Sequence, residues 1–547
     1  MNASGRRLIY NNDMSFILGN ALHGGRPLTI EDVRDHVDLV ADSQVTTFLI
    51  CTNASMPDYP SAVERPVGCP PADADVERGS TMAERLIQRG ATIRKLAEQG
   101  TDIISICVER ARERGMEAFA TTRMNDLHHH DTSIRDPLRQ GDFWLGHPEC
   151  RVGEHPGRCA DGALNFACEP VRRYKLDLIR EICERFDLDG LELDFMRMPV
   201  YFPFNEGEAH LEAMTEFVRD ASEIARAAGE RRGRPLRLVA RVPRSIAHAR
   251  WIGLDPGEWA RRGWIDFLTA SAYYIDDPAL PLADFRRELD GAGIPVYANV
   301  DRRVLRPNCN ELRSHDLYRA AAAYVHEAGA DGIYLFNHFF APPAPTASMG
   351  KSSGQEPNSI WERPPGLGPA RSLLEELGHP ETLRAKNKRY ALATDIEEYG
   401  YLHPRDLPWY DLATDIGENG CAYPRDLPSH VATGKTEAFE YAVADDPDAD
   451  EPEWAALCVR FKGGGDPEFE LNGQALAETD EATVAAVFPS EWEVAEDEVF
   501  RTYDVPVSAL KKGRNSLRLT AGESGLELLQ ADLCLCFDAA AANASQA

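Results

Sequence analysis

The first part of the chain alternates between short strand-like runs and runs with the spacing of amphipathic helices. The predicted strands cover residues 8–12, 45–51, 116–122, 191–195, 236–242, 265–274, 294–300 and 332–336. Strands that alternate with helices form parallel sheets, and eight such units favour a closed (β/α)8, or TIM, barrel. An open doubly wound sheet is the alternative, and it fits less well because no glycine-rich phosphate loop follows the first strand.

Polar residues stand at the end of most of these strands. In a barrel, the carboxyl ends of all the strands meet at one face, and the active sites of such barrels lie there. A polar residue at one strand end is weak evidence by itself, because loops are polar in most proteins. The recurrence from strand to strand predicts a functional site at that face.

The predicted fourth strand carries two acidic residues on one face. Apolar and acidic residues alternate from Leu191 to Phe195, and successive strand side chains point to opposite faces. Glu192 and Asp194 therefore share a face with Gly190. Two carboxylates on a buried strand are costly unless they are paired or functional. We expect both to point into the barrel; a solvated edge strand is the alternative, which the apolar flanks disfavour.

The segment around this strand resembles a motif of a known family. The pattern is D-G-I-x-x-D-Y-x-R-Y/F-P, found in the glycosyl-hydrolase-like, or family-10-like, (β/α)8 barrels. The matching positions are Asp189, Gly190, Leu191, Asp194, Phe195, Arg197 and Pro199. The resemblance implies a barrel glycosidase that hydrolyses a poly- or oligosaccharide, and Asp194 is the acid that the motif keeps.

Glycoside hydrolysis usually needs two carboxyl groups, about 5–5.5 Å apart for retention or about 6.5–9.5 Å apart for inversion. Glu192 and Asp194 are separated by roughly 6.5–7 Å of strand rise, but both project from the same wall. We therefore expect one to be a catalyst and the other its support. Asp194, nearer the mouth, is expected to be the nucleophile or base. Glu192 lies one layer deeper, where an unpaired charge is costly, and is expected to pair with Arg123 or Arg241.

The opposing acid is then expected on another strand. Asp126 and Asp301 are the candidates, and Asp126 is preferred because the third strand adjoins the fourth. Polar side chains at the mouth are expected to contact sugar hydroxyls. The predicted substrate-binding residues are Asn12, Asp13, Arg123, Asn125, His128, His129, Arg197, Arg241, Tyr273, Asn299, Asn337 and His338.

A long loop from Leu127 to Glu169 contains several residues that could bind a metal. They are His128, His129, His130 and Asp131 at its start, followed by His147, Cys150, His155 and Cys159. Histidine and cysteine are common zinc ligands, but neither group has an established ligand spacing. We expect no catalytic metal and no cofactor. A metal-dependent hydrolase or lyase with His128, His129 and Asp194 as ligands is the alternative, and a structural zinc in the loop also stays open.

Composition narrows the classes of partner. The 59 lysines and arginines against 89 acidic residues give a net charge of −30, which argues against nucleic acid and membrane partners. The N-terminal segment lacks an apolar signal core and no apolar run has membrane-spanning length, so a cytoplasmic location is expected. The 12 cysteines are scattered, which is typical of reduced thiols in a chain of this size.

The remainder of the chain predicts a second domain. Residues 1–345 are assigned to the catalytic barrel and residues 430–547 to a smaller all-β domain with alternating strands, similar to the jelly-roll sandwiches appended to glycosidases. Residues 346–429 form a linker with an internal duplication at an offset of 20 residues. The sandwich is expected to support the barrel, and sugar binding by the sandwich is the alternative. A sugar-binding barrel without catalytic activity is a further alternative, because a fold does not imply an activity.

Overall fold

The alternating strands of the first part of the chain close into a barrel. In the computed structural model, eight parallel strands pair in sequence order, and the last strand closes onto the first. Strands β1 to β8 are Arg7–Asn12, Val45–Cys51, Glu117–Arg123, Gly190–Asp194, Arg237–Pro243, Phe267–Ser271, Val296–Asn299 and Gly332–Phe336. The (β/α)8 barrel that the alternation predicts is therefore confirmed.

The structure describes the greater part of the chain. The described residues are 5–13, 28–72, 74, 76, 80–126, 132–133, 135–154, 160–271, 280–300, 315–336, 371–392, 427, 429–463, 465–488 and 495–538. Most of the predicted duplication at residues 390–428 lies outside these ranges.

Helices separate the strands and cover the outside of the barrel. Helices α1 to α10 are Ile30–Asp38, Thr81–Glu98, Ile103–Glu113, Asp142–Gly146, Glu169–Arg185, Leu211–Arg232, Ile246–Trp251, Pro256–Arg261, Leu282–Glu288 and His315–Glu327. Thr29, the N-cap residue of α1, forms a reciprocal capping box with Asp32, which satisfies backbone donors at the start of the helix. Among the residues that the structure describes, no helix has both the length and the apolarity needed to cross a membrane.

The inside of the barrel changes character from one end to the other. At the N-terminal end, Glu117 accepts hydrogen bonds from Arg7 at 2.8 Å and Arg237 at 2.7 Å, so a cluster of one carboxylate and two guanidinium groups closes this end. The layer above is apolar and aromatic, and includes Ile9, Leu49, Phe119, Val239, Phe267, Tyr297, Tyr334 and Phe336. Buried polar side chains follow at the C-terminal end. The packed lower layers leave that end as the place where the barrel interior can meet a ligand.

The C-terminal part forms two antiparallel sheets. The additional strands β9 to β18 are Lys388–Ala391, Ser429–Val431, Thr436–Val443, Trp454–Gly463, Glu468–Leu471, Gln474–Ala475, Ala477–Glu478, Glu498–Val505, Gly513–Thr520 and Leu526–Cys536. One sheet has the order β10-β18-β12-β16-β15 with β9 also paired to β18, and the other has the order β11-β17-β13-β14. Apolar residues of both sheets, such as Phe439 and Leu457, share one core. The predicted β-sandwich is confirmed.

A strand from the predicted linker belongs to this sandwich. Strand β9 pairs with β18 and also packs against α10 of the barrel. On β9, Arg389 donates to Asp316 of α10 at 2.8 Å. The preceding residue, Lys388, donates to Asp445 at 2.6 Å. These charges are nearly excluded from solvent. The pair of Arg389 and Asp316 therefore joins the sandwich to the barrel, and the pair of Lys388 and Asp445 joins β9 to the rest of the sandwich. Buried ion pairs of this kind are expensive to break singly.

We predict that Asp445→Asn destabilises the protein by about 3–5 kcal/mol, because Lys388 would remain buried without its counter-charge. The free energy of unfolding from chemical denaturation measures this. Glu440→Gln is the control, since Glu440 pairs with Arg514 at the surface and such pairs contribute at most about 1 kcal/mol. Equal effects of the two substitutions would contradict the prediction.

Candidate active site

Strand β4 directs Glu192 and Asp194 into the barrel. Glu192 lies beside Thr121 of β3, and Asp194 lies between Arg123 of β3 and Arg241 of β5. Glu192 contacts Tyr334 on β8, which lies across the barrel, so its side chain crosses the interior. Both carboxyl groups are almost completely buried, with 0% and 1% exposure. The predicted inward orientation is therefore confirmed.

Glu192 has two hydrogen-bond donors on one oxygen and none on the other. Thr121 and Tyr334 donate to Oε1 at 2.7 and 2.8 Å, and Asn11 in turn donates to the Tyr334 hydroxyl at 2.7 Å. Oε2 is buried and has no hydrogen-bond partner among the described residues. Burial and the nearby charge of Asp194 raise the pKa of Glu192 to about 8, against the opposing effect of Arg241. At neutral pH the group is therefore a neutral carboxylic acid, and its proton belongs on Oε2.

Asp194 is surrounded by groups that favour a negative charge. Its Oδ1 accepts the backbone N–H groups of Met196 and Arg197 at 2.9 and 3.2 Å. Arg241 approaches both carboxylate oxygens at 3.3 Å. The same guanidinium donates to Ser271 and lies 3.8 Å from the centre of the Phe336 ring. Asp194 thus forms a fixed ion pair one layer above the neutral Glu192.

The expectation that Glu192 pairs with Arg123 or Arg241 is wrong. Neighbouring parallel strands place Arg241 at the level of Asp194, whereas Val239 and Thr121 lie at the level of Glu192. Arg241 therefore forms its ion pair with Asp194. Arg123 forms ion pairs with Asp13 and Asp126 instead. The strand register, which the sequence alone does not specify, decides these pairings.

Asp126, the preferred opposing acid in the sequence analysis, belongs to a group of charges at the ends of β1 and β3. Arg123 donates to Asp126 at 2.8 Å and to Asp13 at 2.7 Å. Arg197 lies 3.9 Å from the Asp126 carboxylate. The Asp126 side chain is completely buried. This arrangement ties the first and third strand ends together and balances the charge of Asp126.

The predicted asparagines occupy different environments. Asn125 donates to the carbonyl oxygens of Leu164 and Val200, so its amide holds neighbouring loops together. Asn12 contacts His36 of α1 and therefore faces the helical layer outside the barrel. Asn299 is buried at the end of β7 and shares the inner face with Tyr297. Of the three, Asn299 is placed to meet a ligand in the barrel mouth.

Several of the predicted site residues lie outside the described part of the chain. They are Asp301, His128, His129, Tyr273, Asn337 and His338. Their predicted roles stay predictions.

The structure adds site residues that the sequence analysis did not select. Asn11, Thr121 and Tyr334 form the hydrogen-bond network around Glu192. Because alternate residues of a strand point inward, counting in steps of two from one inward residue on each strand could have identified them. The sequence gives no signal that Lys175 of α5 is a buried lysine.

Lys175 lies in a crevice between α5 and the long loop. The crevice is lined by Glu64, Asp126, Trp144 and Lys175, among others. Lys175 is only 6% exposed, and its ammonium group lies 5.8 Å from the centre of the Tyr174 ring. Burial lowers the pKa of Lys175 to about 8, although Asp126 and Glu64 favour its charged form. A buried cation therefore lies behind Asp126, next to the mouth.

Comparisons with known proteins give neither a family nor a curated relative. No family model matches the chain, and no curated protein matches it. The resemblance to the family-10-like barrels accordingly stays a prediction.

Some solved structures resemble the chain weakly. A cycloisomaltooligosaccharide glucanotransferase from Paenibacillus sp., in complex with cycloisomaltoheptaose, has a TM-score of 0.32 at 10% identity over 96% of this chain and 57% of its own. An α-L-fucosidase from Paenibacillus thiaminolyticus has a TM-score of 0.37 at 11% identity, over 60% of this chain and 46% of its own. An endo-β-1,4-mannanase from Thermotoga petrophila has a TM-score of 0.39 at 9% identity, over 97% and 98%. This chain thus spans about half the length of the first two, and all three names are those of carbohydrate-active enzymes.

The raised pKa of Glu192 predicts a stability effect that depends on pH. The carboxyl group of Glu192 keeps its proton up to about pH 8 in the folded protein, whereas its ordinary pKa is 4.5. Its contribution to stability is therefore complete below pH 4.5 and is lost as the pH rises through 8. Glutamine cannot ionise and can keep the bonds from Thr121 and Tyr334. We therefore expect Glu192→Gln to gain about 3 kcal/mol in unfolding free energy relative to the wild type between pH 5 and pH 9. Glu440→Gln at the surface should show no such gain.

The lowered pKa of Lys175 predicts the opposite dependence. Its stability contribution is complete above pH 10.5 and is lost as the pH falls through 8, because the folded protein must then hold a buried charge. Lys175→Met should therefore be more stable than the wild type at pH 7, by about 1–3 kcal/mol, with a smaller difference at pH 9.5. Denaturation at both pH values measures this, and the exposed Lys435→Met is the control. A Lys175→Met protein that is less stable at pH 7 would refute the prediction.

Proposed function

We propose that the chain is a glycoside hydrolase that cleaves a poly- or oligosaccharide by carboxyl acid–base catalysis at the C-terminal mouth of the barrel. One observation carries the proposal. Two carboxyl groups on adjacent inward positions of β4 have different environments: burial and the nearby charge of Asp194 raise the pKa of Glu192, whereas Asp194 forms an ion pair with Arg241. When the environments of two carboxyl groups move their pKa values apart, one group can act as the acid and the other as the base or nucleophile.

Glu192 is proposed as the general acid. A general acid must carry its proton near neutral pH and must have that proton available to the substrate. The raised pKa of Glu192 meets the first requirement, and its Oε2, which has no hydrogen-bond partner among the described residues, supports the second. After proton transfer, the hydroxyl groups of Thr121 and Tyr334 would stabilise the carboxylate through Oε1.

Asp194 is proposed as the nucleophile or base, as in the sequence analysis. It lies nearer the mouth than Glu192, and Arg241 and two backbone N–H groups hold its carboxylate in place. Fixed partners of this kind orient a reacting group before the substrate arrives. Asp126 is less suited to proton transfer because Arg123 and Arg197 face its carboxylate.

A metal-dependent hydrolase or lyase on the same barrel is the alternative. It would use Asp194 as a metal ligand together with His128 and His129. The position of Arg241 disfavours this role, since its guanidinium already faces both oxygens of Asp194. Metal analysis separates the two functions: only the metal-dependent enzyme would lose bound metal on Asp194→Asn.

The mechanism predicts the activity of two variants on a panel of oligosaccharides and aryl glycosides. Asp194→Asn should lower kcat by a factor of at least about 10²–10⁴, because an amide cannot replace the carboxylate as nucleophile or base. Glu192→Gln should lose a similar factor on oligosaccharides and much less on aryl glycosides with good leaving groups, which need little protonation. In the wild type, kcat/KM should fall above about pH 8 as Glu192 loses its proton.

Glu440→Gln controls for unspecific effects, and circular dichroism controls for folding. Near-wild-type turnover by Asp194→Asn on a confirmed substrate would overturn the proposal. Binding of glycans by the wild type without any turnover would favour the sugar-binding barrel instead.

A further inference from the structure

A cluster of metal-ligating side chains lies in the long loop before α5, away from the inward carboxyl pair. His147 follows α4, and a short 3-10 helix, Pro148–Cys150, brings Glu149 and Cys150 beside it. These three side chains each offer a ligand atom, and all three atoms lie within 4.8 Å of one another. No second group of three such side chains meets among the residues that the structure describes.

A fourth donor comes from the start of α5. Cys168 is the N-cap residue of that helix, and its thiol lies beside the thiol of Cys150, although it is not within 4.8 Å of all three ligand atoms of the cluster. The backbone sets up this contact. The amide of Asn165 donates to the carbonyl of Cys150 at 2.9 Å, and Arg151 pairs with Leu164 in an isolated bridge. The two ends of the loop segment are thus fixed next to each other before any ligand binds.

We propose that His147, Glu149 and Cys150 bind a structural zinc ion and that the Cys168 thiol moves towards the ion to complete the ligand set. Imidazole nitrogen and thiolate sulfur are the ligands that zinc prefers in structural sites, and four protein ligands give the closed tetrahedral set of such sites. His147 and Glu149 are already in contact, with 2.9 Å between Nδ1 and Oε1, and the ion would take a position between them. Binding would release the two thiol protons to solvent.

The chemistry of the cluster favours zinc over the hard cations. Mg²⁺ and Ca²⁺ prefer oxygen ligands, and the cluster supplies a single carboxylate. Cys150 is buried and Cys168 is half-buried, so the sulfur side of the site is shielded, whereas Glu149 faces solvent. An ion could therefore enter from the side of Glu149.

The position of the site suggests what it would stabilise. Helix α4 contributes Phe143 and Trp144, and the loop that follows it contributes Leu164, to the crevice that holds Lys175. A zinc ion that joins Cys150 to Cys168 would fasten this loop to the N-terminus of α5. The effect expected on removal of zinc is thus on the stability of the loop, and it is independent of the proposed glycosidase chemistry.

The test uses the full chain, purified under reducing conditions and titrated with Zn²⁺. We expect one zinc per chain by elemental analysis, and less than a tenth of that in Cys150→Ser and Cys168→Ser. Cys69→Ser, at a half-buried thiol elsewhere, should keep the full zinc content, as should Asp194→Asn. Substitution by Co²⁺ should give a thiolate-to-metal charge-transfer absorption that Cys150→Ser lacks. Chelation should accelerate proteolysis between α4 and α5 in the wild type.

His147→Ala gives a milder test in case a cysteine variant does not fold, with at least a tenfold loss of zinc affinity expected. Absence of stoichiometric zinc in the titrated wild type would overturn the proposal. So would full zinc retention by Cys150→Ser or His147→Ala, or a Cys150–Cys168 disulfide in the reduced preparation. None of these outcomes depends on finding a glycan substrate.

Discussion

Closure of the barrel imposes the constraint on which the site depends. Pairing β8 with β1 gives the strand backbones their partners, but it also places every second side chain in an interior with little water. A polar group there is stable only if neighbouring strands supply its hydrogen bonds. The network of Asn11, Tyr334 and Thr121 meets this requirement for Oε1 of Glu192, and the four residues come from four strands. The chemistry of the inner face is therefore a property of the closed sheet rather than of any one strand.

The same constraint explains why the two ends of the barrel differ. At the N-terminal end, Glu117 lies between Arg7 and Arg237, and each charge has a partner. Such pairs fix geometry but leave no group available to a ligand. Towards the mouth, Glu192 retains an oxygen without a partner among the described residues. Because a buried group of this kind reduces stability, its presence favours a functional explanation over a structural one.

The sequence predicts well where the strands lie and which side chains of β4 point inward, because alternation over several residues is a strong signal. It predicts poorly which side chains of neighbouring strands pair with each other. Whether Arg241 faces Glu192 or Asp194 depends on how neighbouring strands are staggered, and no local pattern records that. Asn12 shows the same problem at the level of a single residue, since its neighbour Asn11 is the one that faces inward. Strand β9 is missed because it is short and charged, and it becomes a strand only through its pairing with β18.

The charges around the candidate site also bear on how Glu192 is held. In the described part of the mouth, Arg123 pairs with Asp13 and Asp126, and Arg197 adds a second cation near Asp126. Arg241 pairs with Asp194.

These ion pairs leave no arginine in contact with Glu192 among the residues described, although Arg241 acts on it from the next layer. A carboxyl group in a dry interior that lacks a paired cation is stable only in its neutral form. The proton thus takes the place of a counter-ion at Glu192, and the distribution of arginines among the aspartates is what keeps that proton in the barrel at neutral pH.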